Sequence, residues 1–504
     1  MLLAVLAAWL VHSQGWTLYY GDAEARLNNA RRIIDSRTPG YEQLGTGWLP
    51  LSSMLMLPLV GTDLFWRTGL AGTIVGVVCF VAAVLAIFGT ARRVFTSNSA
   101  GWCAALLLAT NPNLLYLQAT PMTEHIFFAM LCGLLYCTVR FASGLSSRWL
   151  IGAGLCSAGA ALTRYDGWLL IPFATAFVFI SGREKRWRAT LLFGAMASTV
   201  PLYWFAHNFY FYGDLLEFYH GQYSAKAIYE RGVTASGKRH PFDHNWSQAL
   251  IYYRAAVVLC VGMPLCLMAV AGCLGALLRR AIWPVVLLAI PPFFYVLSLY
   301  AGSAEIFVPA LWPHSYYNSR YGLAFLPFAA FCAASLVTFL PARVQTAGTV
   351  ALLAAAVSIF VAYPRAESWI CWKESQVNSK ARRAWTQNAA QFLKQNYRNG
   401  DGLLFSYGDL AGVFRESGIP IREGLHEGNG AASDAAFVRP DLFLNEGWAL
   451  AIKGDRVSQL MSERVTSAVG QKGPRFRLVH EVHVDGAPAI EIFQRFPKAS
   501  KPRW

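Results

Sequence analysis

The chain has 504 residues, of which 55% are hydrophobic and only 14% are charged. A soluble domain carries about 25% charged residues, so the composition excludes an ordinary soluble protein. The formal net charge of +15 does not indicate a nucleic-acid-binding protein, because much of the basic charge lies in short clusters between apolar segments. Several apolar segments extend for roughly 18 residues or more, which is the length of a membrane-spanning helix.

About eleven transmembrane helices are predicted from these segments. Their approximate ranges are 1–16, 68–90, 100–118, 122–141, 149–163, 168–181, 190–206, 251–278, 282–300, 321–340 and 346–363. The first segment has no basic start and no Ala-x-Ala cleavage site, so we predict a transmembrane helix and not a removed signal peptide. The two short helices that flank Thr163 and Trp168 could also form a broken or re-entrant pair.

The basic clusters orient these helices in the membrane. If the first helix runs from cytoplasm to periplasm, every cluster falls on the cytoplasmic side, as the positive-inside rule requires. The clusters are Arg92–Arg93, Arg140 with Arg148, Arg183 to Arg188, Arg279–Arg280 and Arg343. The long loops 17–67 and 207–250 and the tail then lie in the periplasm, since long loops translocate largely regardless of their charge.

The tail has a different sequence character, with mixed charge and amphipathic order. Ala381 to Tyr397 is predicted to be a helix, and 402–407, 476–484 and 487–496 are predicted strands between Gly, Asp and Pro turns. The predicted fold is therefore mainly α. It comprises a polytopic transmembrane helical bundle over residues 1–364 and a small C-terminal periplasmic α/β domain over residues 365–504, whose role the sequence does not indicate.

Two carboxylates follow the first predicted helix, in Gly21-Asp22-Ala23-Glu24. Asp22 and Glu24 could act as a general base and its orienting group, or as hard ligands for a divalent cation. The structural alternative is a helix start, with Asp22 as the N-cap and Glu24 in the first turn. Spacing alone favours the helix start.

A third carboxylate, Glu124, lies in Thr120-Pro121-Met122-Thr123-Glu124-His125, one turn into a predicted transmembrane helix. An ionisable group in that position is expensive unless it faces a cavity or a partner, which favours a functional role. The alternative is a capping box, with Thr120 or Thr123 as the cap.

Two arginines with aromatic neighbours complete the candidate site: Arg164 in Thr163-Arg164-Tyr165-Asp166-Gly167-Trp168, and Arg320 beside Tyr321. The planar guanidinium suits phosphate oxygens. A local Arg164–Asp166 ion pair is the structural alternative. Acids and arginines at one membrane surface suit a lipid-phosphate substrate, with a carboxylate deprotonating the acceptor and an arginine holding the leaving phosphate.

The order of these motifs resembles a known family. Gly21-Asp22-Ala23-Glu24, Leu44-Gly45-Thr46-Gly47-Trp48-Leu49-Pro50, Thr120-Pro121-Met122-Thr123-Glu124 and Thr163-Arg164-Tyr165-Asp166-Gly167-Trp168 follow one another along the chain. The combination resembles the GT-C superfamily of integral membrane glycosyltransferases over about residues 1–365. More narrowly, it is similar to the protein-mannosyltransferase and lipid A aminoarabinose-transferase-like group.

The resemblance implies a donor sugar linked to polyprenyl phosphate, used at the periplasmic face of the bacterial inner membrane with inversion at the anomeric carbon. Asp22 would be the general base, Glu24 its acidic partner and Glu124 the second acidic site. Arg164 and Arg320 would bind the donor phosphate, and Trp48, His125, Tyr165 and Tyr321 would contact substrate. Residues 41–50 would cover part of the site. Because members of the superfamily differ in metal use, a divalent cation at Asp22 and Glu24 stays open.

Three other functions are weighed against glycosyl transfer. A transporter or flippase often has internal repeats and midplane charges, and neither is evident in the sequence. A non-catalytic scaffold for envelope assembly would not need acids beside phosphate-binding groups. An oligosaccharide ligase would use a similar lipid donor, and the sequence separates it poorly. The sequence names neither the sugar nor the acceptor, which could be a glycan, a lipid or a protein hydroxyl.

Overall fold

The computed structural model describes residues 1–222, 224–362, 368–462 and 473–496. The chain divides into two compact units. The first comprises Met1–Thr17, Thr46–Ser52 and Gly72–Ser375, and the second comprises Leu18–Gly45, Ser53–Ala71 and Gln376–Trp504. The second unit thus combines the tail with two segments of the first predicted loop. The functional division that we drew at residue 364 stays a prediction.

The described chain is mainly helical. Its α-helices, in chain order, are α1 (Leu2–Ser13), α2 (Gly21–Arg32), α3 (Leu51–Val60), α4 (Asp63–Thr68), α5 (Leu70–Val94), α6 (Asn98–Ala109), α7 (Pro112–Leu117), α8 (Glu124–Gly144), α9 (Ser147–Thr163), α10 (Asp166–Ser181), α11 (Arg186–Tyr212), α12 (Glu217–His220), α13 (Ala225–Ser236), α14 (Trp246–Val261), α15 (Met263–Leu278), α16 (Ile282–Tyr300), α17 (Leu326–Val337), α18 (Gln345–Ala362), α19 (Ile370–Asn396), α20 (Ala411–Ser417), α21 (Ala431–Val438), α22 (Pro440–Phe443) and α23 (Arg456–Ser462). A 3-10 helix, Ser319–Phe325, leads into α17.

Six helices in the part of the chain that the structure covers are long and apolar enough to cross a membrane. They are Leu70–Val94, Glu124–Gly144, Arg183–Tyr212, Ile282–Tyr300, Ser319–Val337 and Ala342–Ala362. The number rises to seven if α14 and α15, which bend by 108° at their junction, count as one span. Shorter apolar helices include α1, α3, α6 and α10. The multi-pass helical prediction is therefore confirmed, whereas the count of about eleven is not.

Two predicted helices are interrupted for local reasons. The segment 100–118 breaks at Asn111, whose side chain accepts a hydrogen bond from the Leu114 backbone N–H at 3.1 Å and so caps α7. Pro112 then occupies the first turn of α7, where its missing N–H is tolerated. The segment 251–278 breaks at Gly262, whose φ of +86° is open mainly to glycine.

Glycine also permits close helix packing in the first unit. A Cβ at Gly272 of α15 would collide with the backbone carbonyl of Cys332 in α17, and one at Gly76 of α5 would collide with the carbonyl of Gln118. Small residues at such crossings are typical of membrane helix pairs, because they let the two backbones approach.

The second unit contains a five-stranded sheet. Its strands are β1 (Leu403–Phe405), β2 (Gly424–Leu425), β3 (Trp448–Ile452), β4 (Arg475–Val482) and β5 (Ile490–Phe496), in the order β2-β1-β3-β5-β4. β2, β1 and β3 are parallel, and β5 pairs antiparallel with both β3 and β4. Leu404, Leu425, Ala449 and Phe493 belong to its buried core. The three predicted strands and the predicted helix 381–397 are confirmed, as β1, β4, β5 and part of α19, while β2 and β3 were missed.

Candidate active site

Glu124 is the first residue of α8 and its side chain is buried. The helix N-cap is Thr123, whose side chain makes no capping hydrogen bond. Instead, the Glu124 carboxylate accepts a hydrogen bond from the Thr123 backbone N–H at 3.1 Å. The alternative of a capping box is therefore wrong here, and the carboxylate is available for ion pairs with residues distant in sequence.

Arg164 lies in the turn between α9 and α10 and makes one of these ion pairs. Its Nη1 is 3.3 Å from Glu124 Oε1 and donates to Thr123 Oγ1 at 3.0 Å. Its Nε lies 3.4 Å from the carboxylate of the buried Asp166, and its Nη2 donates to the Tyr295 hydroxyl. The predicted local ion pair between Arg164 and Asp166 is thus present. Arg164 also links the turn to α8 through Glu124 and to α16 through Tyr295.

Arg320, in the 3-10 helix before α17, approaches the same carboxylate. Its Nε lies 3.3 Å from Glu124 Oε1, and its Nη1 lies 3.2 Å from Glu374 Oε1. The other oxygen of Glu374 accepts hydrogen bonds from the Ser319 backbone N–H, at 2.7 Å, and from the Ser319 hydroxyl. Sequence reasoning missed Glu374 because its partners lie more than fifty residues away and no local motif marks it.

Two stacked tyrosines complete the pocket. The rings of Tyr295 and Tyr321 are 4.6 Å apart, and the guanidinium groups of Arg164 and Arg320 lie 5.3 and 5.1 Å from the Tyr321 ring centroid. The space enclosed by these groups with Glu124, Asp166 and Phe128 is about 10 Å³, enough for roughly one water molecule. Each arginine is already paired with carboxylates, so an incoming phosphate would have to exchange with one of them.

Asp22 and Glu24 lie in the second unit, in the first turn of α2. The alternative of a helix start with Glu24 in the first turn is therefore confirmed, but the N-cap is Tyr20 and not Asp22. Glu24 is buried, pairs with Arg382 through one oxygen, and lies 3.1 Å from Arg415 Nη2 through the other. Asp22 is half-buried. The catalytic roles of Asp22, Glu24 and Glu124 stay predictions, as does the binding of the donor phosphate by Arg164 and Arg320.

Three predicted substrate contacts do not line the pocket of the first unit. His125 is buried beside Glu124 in α8. The Tyr165 ring stacks on Phe218 at 5.2 Å, and its hydroxyl accepts a hydrogen bond from Trp204 Nε1 at 3.2 Å. Trp48 is half-buried and precedes α3. Tyr321 is the predicted contact residue that the structure brings to the pocket.

A metal at Asp22 and Glu24 would have to compete with arginine. Both oxygens of Glu24 are engaged in ion pairs, which reduces the charge that they can offer to a cation. Within the described ranges, no group of three or more His, Cys, Asp or Glu side chains is arranged to hold a metal ion.

Comparisons with known proteins bear on the family resemblance and on the fold. The family model described as dolichyl-phosphate-mannose-protein mannosyltransferase matches residues 55–211. A search of curated proteins finds no match. Among solved structures, the chain is similar to ArnT from Cupriavidus metallidurans in the apo state, with 12% identity, 97% of each chain covered and a TM-score of 0.55. The same protein bound to undecaprenyl phosphate matches with 12% identity, the same coverage of both chains and a TM-score of 0.51.

A weaker likeness is to the Archaeoglobus fulgidus oligosaccharyltransferase, with 13% identity, 93% of this chain and 70% of that chain covered, and a TM-score of 0.49. The chain thus has the fold of a multi-pass membrane protein, and the predicted resemblance to the GT-C superfamily of integral membrane glycosyltransferases is confirmed. At 12% identity the similarity to ArnT is one of fold.

Proposed function

We propose that this chain is a membrane glycosyltransferase that moves a sugar from a polyprenyl-phosphate-linked donor to an acceptor. The observation that carries the proposal is the pocket in which Arg164 and Arg320 converge on Glu124. The fold likeness to ArnT, which one solved structure describes as bound to undecaprenyl phosphate, supports a lipid phosphate as the ligand. The family model, whose description names dolichyl-phosphate-mannose, supports a sugar as the group transferred.

Arg164 and Arg320 would act on the donor phosphate. Phosphate oxygens would replace the Glu124 carboxylate at one or both guanidinium groups, whose fork geometry suits a tetrahedral oxyanion. As the bond from the anomeric carbon to the phosphate oxygen breaks, negative charge grows on that oxygen. The fixed guanidinium groups stabilise this charge without reorganising, because their carboxylate and tyrosine partners already hold them.

Asp22 would act on the acceptor. Its carboxylate removes the proton from the acceptor hydroxyl while the hydroxyl oxygen attacks the anomeric carbon from the face opposite the leaving phosphate. One bond to the anomeric carbon forms as one breaks, so the configuration inverts. Glu24, held by Arg382 and Arg415, would keep the first turn of α2 in place.

The distribution of charge supports a periplasmic site in a bacterial inner membrane. Glu124 begins α8, whereas Arg140 lies near the other end of the same helix. Likewise Arg92 and Arg93 lie in the last turn of α5. If the basic ends are cytoplasmic, as the positive-inside rule requires, the end of α8 that carries Glu124 is periplasmic.

The test is sugar transfer by the full chain in nanodiscs, with radiolabelled polyprenyl-phosphate sugars as donors and a membrane extract as acceptor. Asp22→Asn should lower the transfer rate by on the order of a hundredfold, because it removes the base and keeps the shape. Asp434→Asn is the matched control, since Asp434 is exposed and pairs only weakly with Arg456 at 4.0 Å. The donor that is used identifies the sugar, and the labelled product identifies a glycan, lipid or protein acceptor.

The two parts of the proposal fail in different ways. Undiminished transfer by Asp22→Asn would refute the assignment of the base and leave the reaction class standing. Absence of transfer from every polyprenyl donor by a wild-type chain that still binds the lipid would refute glycosyl transfer. That outcome would favour the flippase or the scaffold.

A further inference from the structure

The carboxyl edge of the small sheet in the second unit carries polar side chains that the proposed transfer does not use. Tyr407 follows β1, and His426 and Glu427 follow the parallel strand β2. In open α/β sheets, ligands bind beyond the carboxyl ends of parallel strands. Arg32, the last residue of α2, lies against this edge, with its guanidinium 4.6 Å from the Tyr407 ring centroid.

Arg32 is a buried cation whose binding capacity is largely unused. Its Nε donates to the Gln43 carbonyl at 2.5 Å. Among the residues that the structure covers, no carboxylate pairs with the Arg32 guanidinium, which interacts instead with the Tyr407 side chain. The neighbouring Arg31, by contrast, pairs with Asp35 at 2.9 Å and with Asp63 at 2.8 Å. A buried charge without a counter-ion is costly, so Arg32 is a site where an anion would be stabilised.

His426 adds an unused donor beside this charge. Its side chain is 1% exposed, and its Nδ1 accepts a hydrogen bond from the Gly428 backbone N–H at 3.0 Å. The proton of the neutral ring is therefore on Nε2, which has no acceptor within the described part of the chain. Burial, assisted by the charges of Arg32 and Arg37, lowers the pKa of His426 to about 3, so the ring is neutral at physiological pH.

Tyr407 supplies a second neutral donor. Burial raises the pKa of Tyr407 to about 12, so its hydroxyl keeps its proton. Its ring lies 4.6 Å from the His426 ring. The nearby carboxylate of Glu427 accepts from the Tyr407 backbone N–H, at 3.1 and 3.2 Å.

Gly428 makes this arrangement sterically possible. A Cβ at Gly428 would lie 2.8 Å from His426 Cε1 and 3.1 Å from Arg32 Nη1, distances that a larger residue could not accommodate without displacing them. Because Gly428 has no side chain, its backbone can lie close to both the Arg32 guanidinium and the His426 ring.

We propose that Arg32, Tyr407 and His426 form a binding site for an oxyanion of the phosphate class at the carboxyl edge of this sheet. The arginine supplies the charge, and the two neutral side chains supply directed hydrogen bonds. The three residues belong to the second unit and are not among those that line the Arg164–Arg320 pocket, and the proposed site does not depend on the proposed transfer reaction. Its ligand could be a soluble phosphate or the phosphate of a lipid headgroup, which present the same chemistry.

Hydrogen–deuterium exchange of the full chain in phosphatidylcholine nanodiscs tests this site locally. Inorganic phosphate, compared with sodium chloride at equal ionic strength, should slow exchange in the peptides that contain Tyr407 and Gly428. Arg32→Met should raise the apparent dissociation constant at least about tenfold, because a charged partner is lost. Arg475→Met is the matched control, since Arg475 is exposed on β4 and should leave the protection unchanged.

Tyr407→Phe is a milder variant that removes only the hydroxyl, and it serves if Arg32→Met does not fold. It should weaken phosphate binding about threefold to tenfold. Nanodiscs that contain phosphatidic acid form the second arm: protection there without added phosphate assigns a lipid headgroup, and protection by inorganic phosphate alone assigns a soluble ligand. Lack of protection in both arms, or protection that Arg32→Met and Tyr407→Phe leave unaltered, would overturn the proposal.

Discussion

Glu374 holds Arg320 in place: its carboxylate lies 3.2 Å from the Arg320 guanidinium and accepts a 2.7 Å hydrogen bond from the Ser319 backbone N–H. Glu124 approaches the same guanidinium at 3.3 Å from another helix. Arg320 is therefore oriented by two carboxylates, and one of them, Glu124, also contacts Arg164. This arrangement suggests that Glu374 positions Arg320, whereas Glu124 links Arg320 to Arg164.

Glu374→Gln should leave the Arg320 guanidinium less firmly oriented. The amide keeps the shape but loses the charge-assisted bonds to Arg320 and Ser319, which contribute about 1.5–3 kcal/mol. We expect a lower melting temperature and, in the transfer assay, a donor KM that rises more than kcat falls. Glu184→Gln, in the short exposed 3-10 helix Arg183–Lys185, is the control and should change neither quantity. A melting temperature that falls while donor KM stays unchanged would reduce Glu374 to a purely structural residue.

Glu24→Gln should destabilise the second unit. Glu24 is buried between Arg382 and Arg415, so the substitution removes the carboxylate partner of Arg382 and the buried one of the two carboxylate partners of Arg415, and it should cost about 3–5 kcal/mol. Glu416→Gln is the matched control, because Glu416 pairs with the same Arg415 at 2.8 Å but is 39% exposed. Exposed pairs contribute about 0–1 kcal/mol. The free energies of unfolding of the two variants would be compared by denaturant titration, with hydrogen–deuterium exchange in α2 and α20 as the signal. Equal losses of stability in the two variants would contradict the argument from buried charge.

Gly272→Ala should disrupt the packing of α15 on α17. The added Cβ would collide with the Cys332 carbonyl, which is backbone and cannot rotate away, and such overpacking costs about 1–3 kcal/mol. Gly194→Ala, inside α11, meets no atom within 4 Å and should be neutral or stabilising by up to about 1 kcal/mol. Thermal unfolding in detergent measures both variants. A neutral Gly272→Ala would mean that the two helices are further apart than described.

The sequence predicted the long apolar helices well, because hydrophobic length is a strong signal. It did not predict the interruptions at Asn111 and Gly262, since a polar or glycine residue in an apolar run breaks a helix only when its surroundings favour the break. β3 was missed because Trp448–Ile452 is almost wholly buried and lacks the alternation that marks a half-buried strand.

The candidate site was predicted in separate pieces. Glu124, Arg164 and Arg320 were each singled out because a charge beside an apolar segment is expensive, and the structure brings the three side chains to one pocket. Glu374 lies in a polar segment, where a charge is ordinary, so the same reasoning passed over it. Arg32 was missed for a related reason: the absence of a carboxylate partner among the described residues is a property of the tertiary structure and not of any motif.

The stability of the second unit should fall as pH falls, through His426. The pKa of His426 is lowered from 6.5 to about 3 in the folded protein, because burial disfavours the charged ring. Below about pH 6.5 the unfolded chain therefore binds a proton that the folded chain does not, and stability is lost by about 1.4 kcal/mol per pH unit until the pH approaches the folded value. At pH 5 the loss should be about 2 kcal/mol relative to pH 7.

His426→Gln should flatten this dependence, because glutamine does not titrate. The free energy of unfolding of the second unit, from denaturant titrations monitored by exchange in β1 and β2, would be measured at pH 7 and pH 5 for each variant. His483→Gln is the control, since His483 is 69% exposed and should retain the wild-type slope. The variant would have lower stability than wild type at pH 7, where Nδ1 no longer caps the Gly428 N–H, yet a smaller difference between the two pH values. A slope that stays the same in His426→Gln would assign the acid sensitivity to other groups.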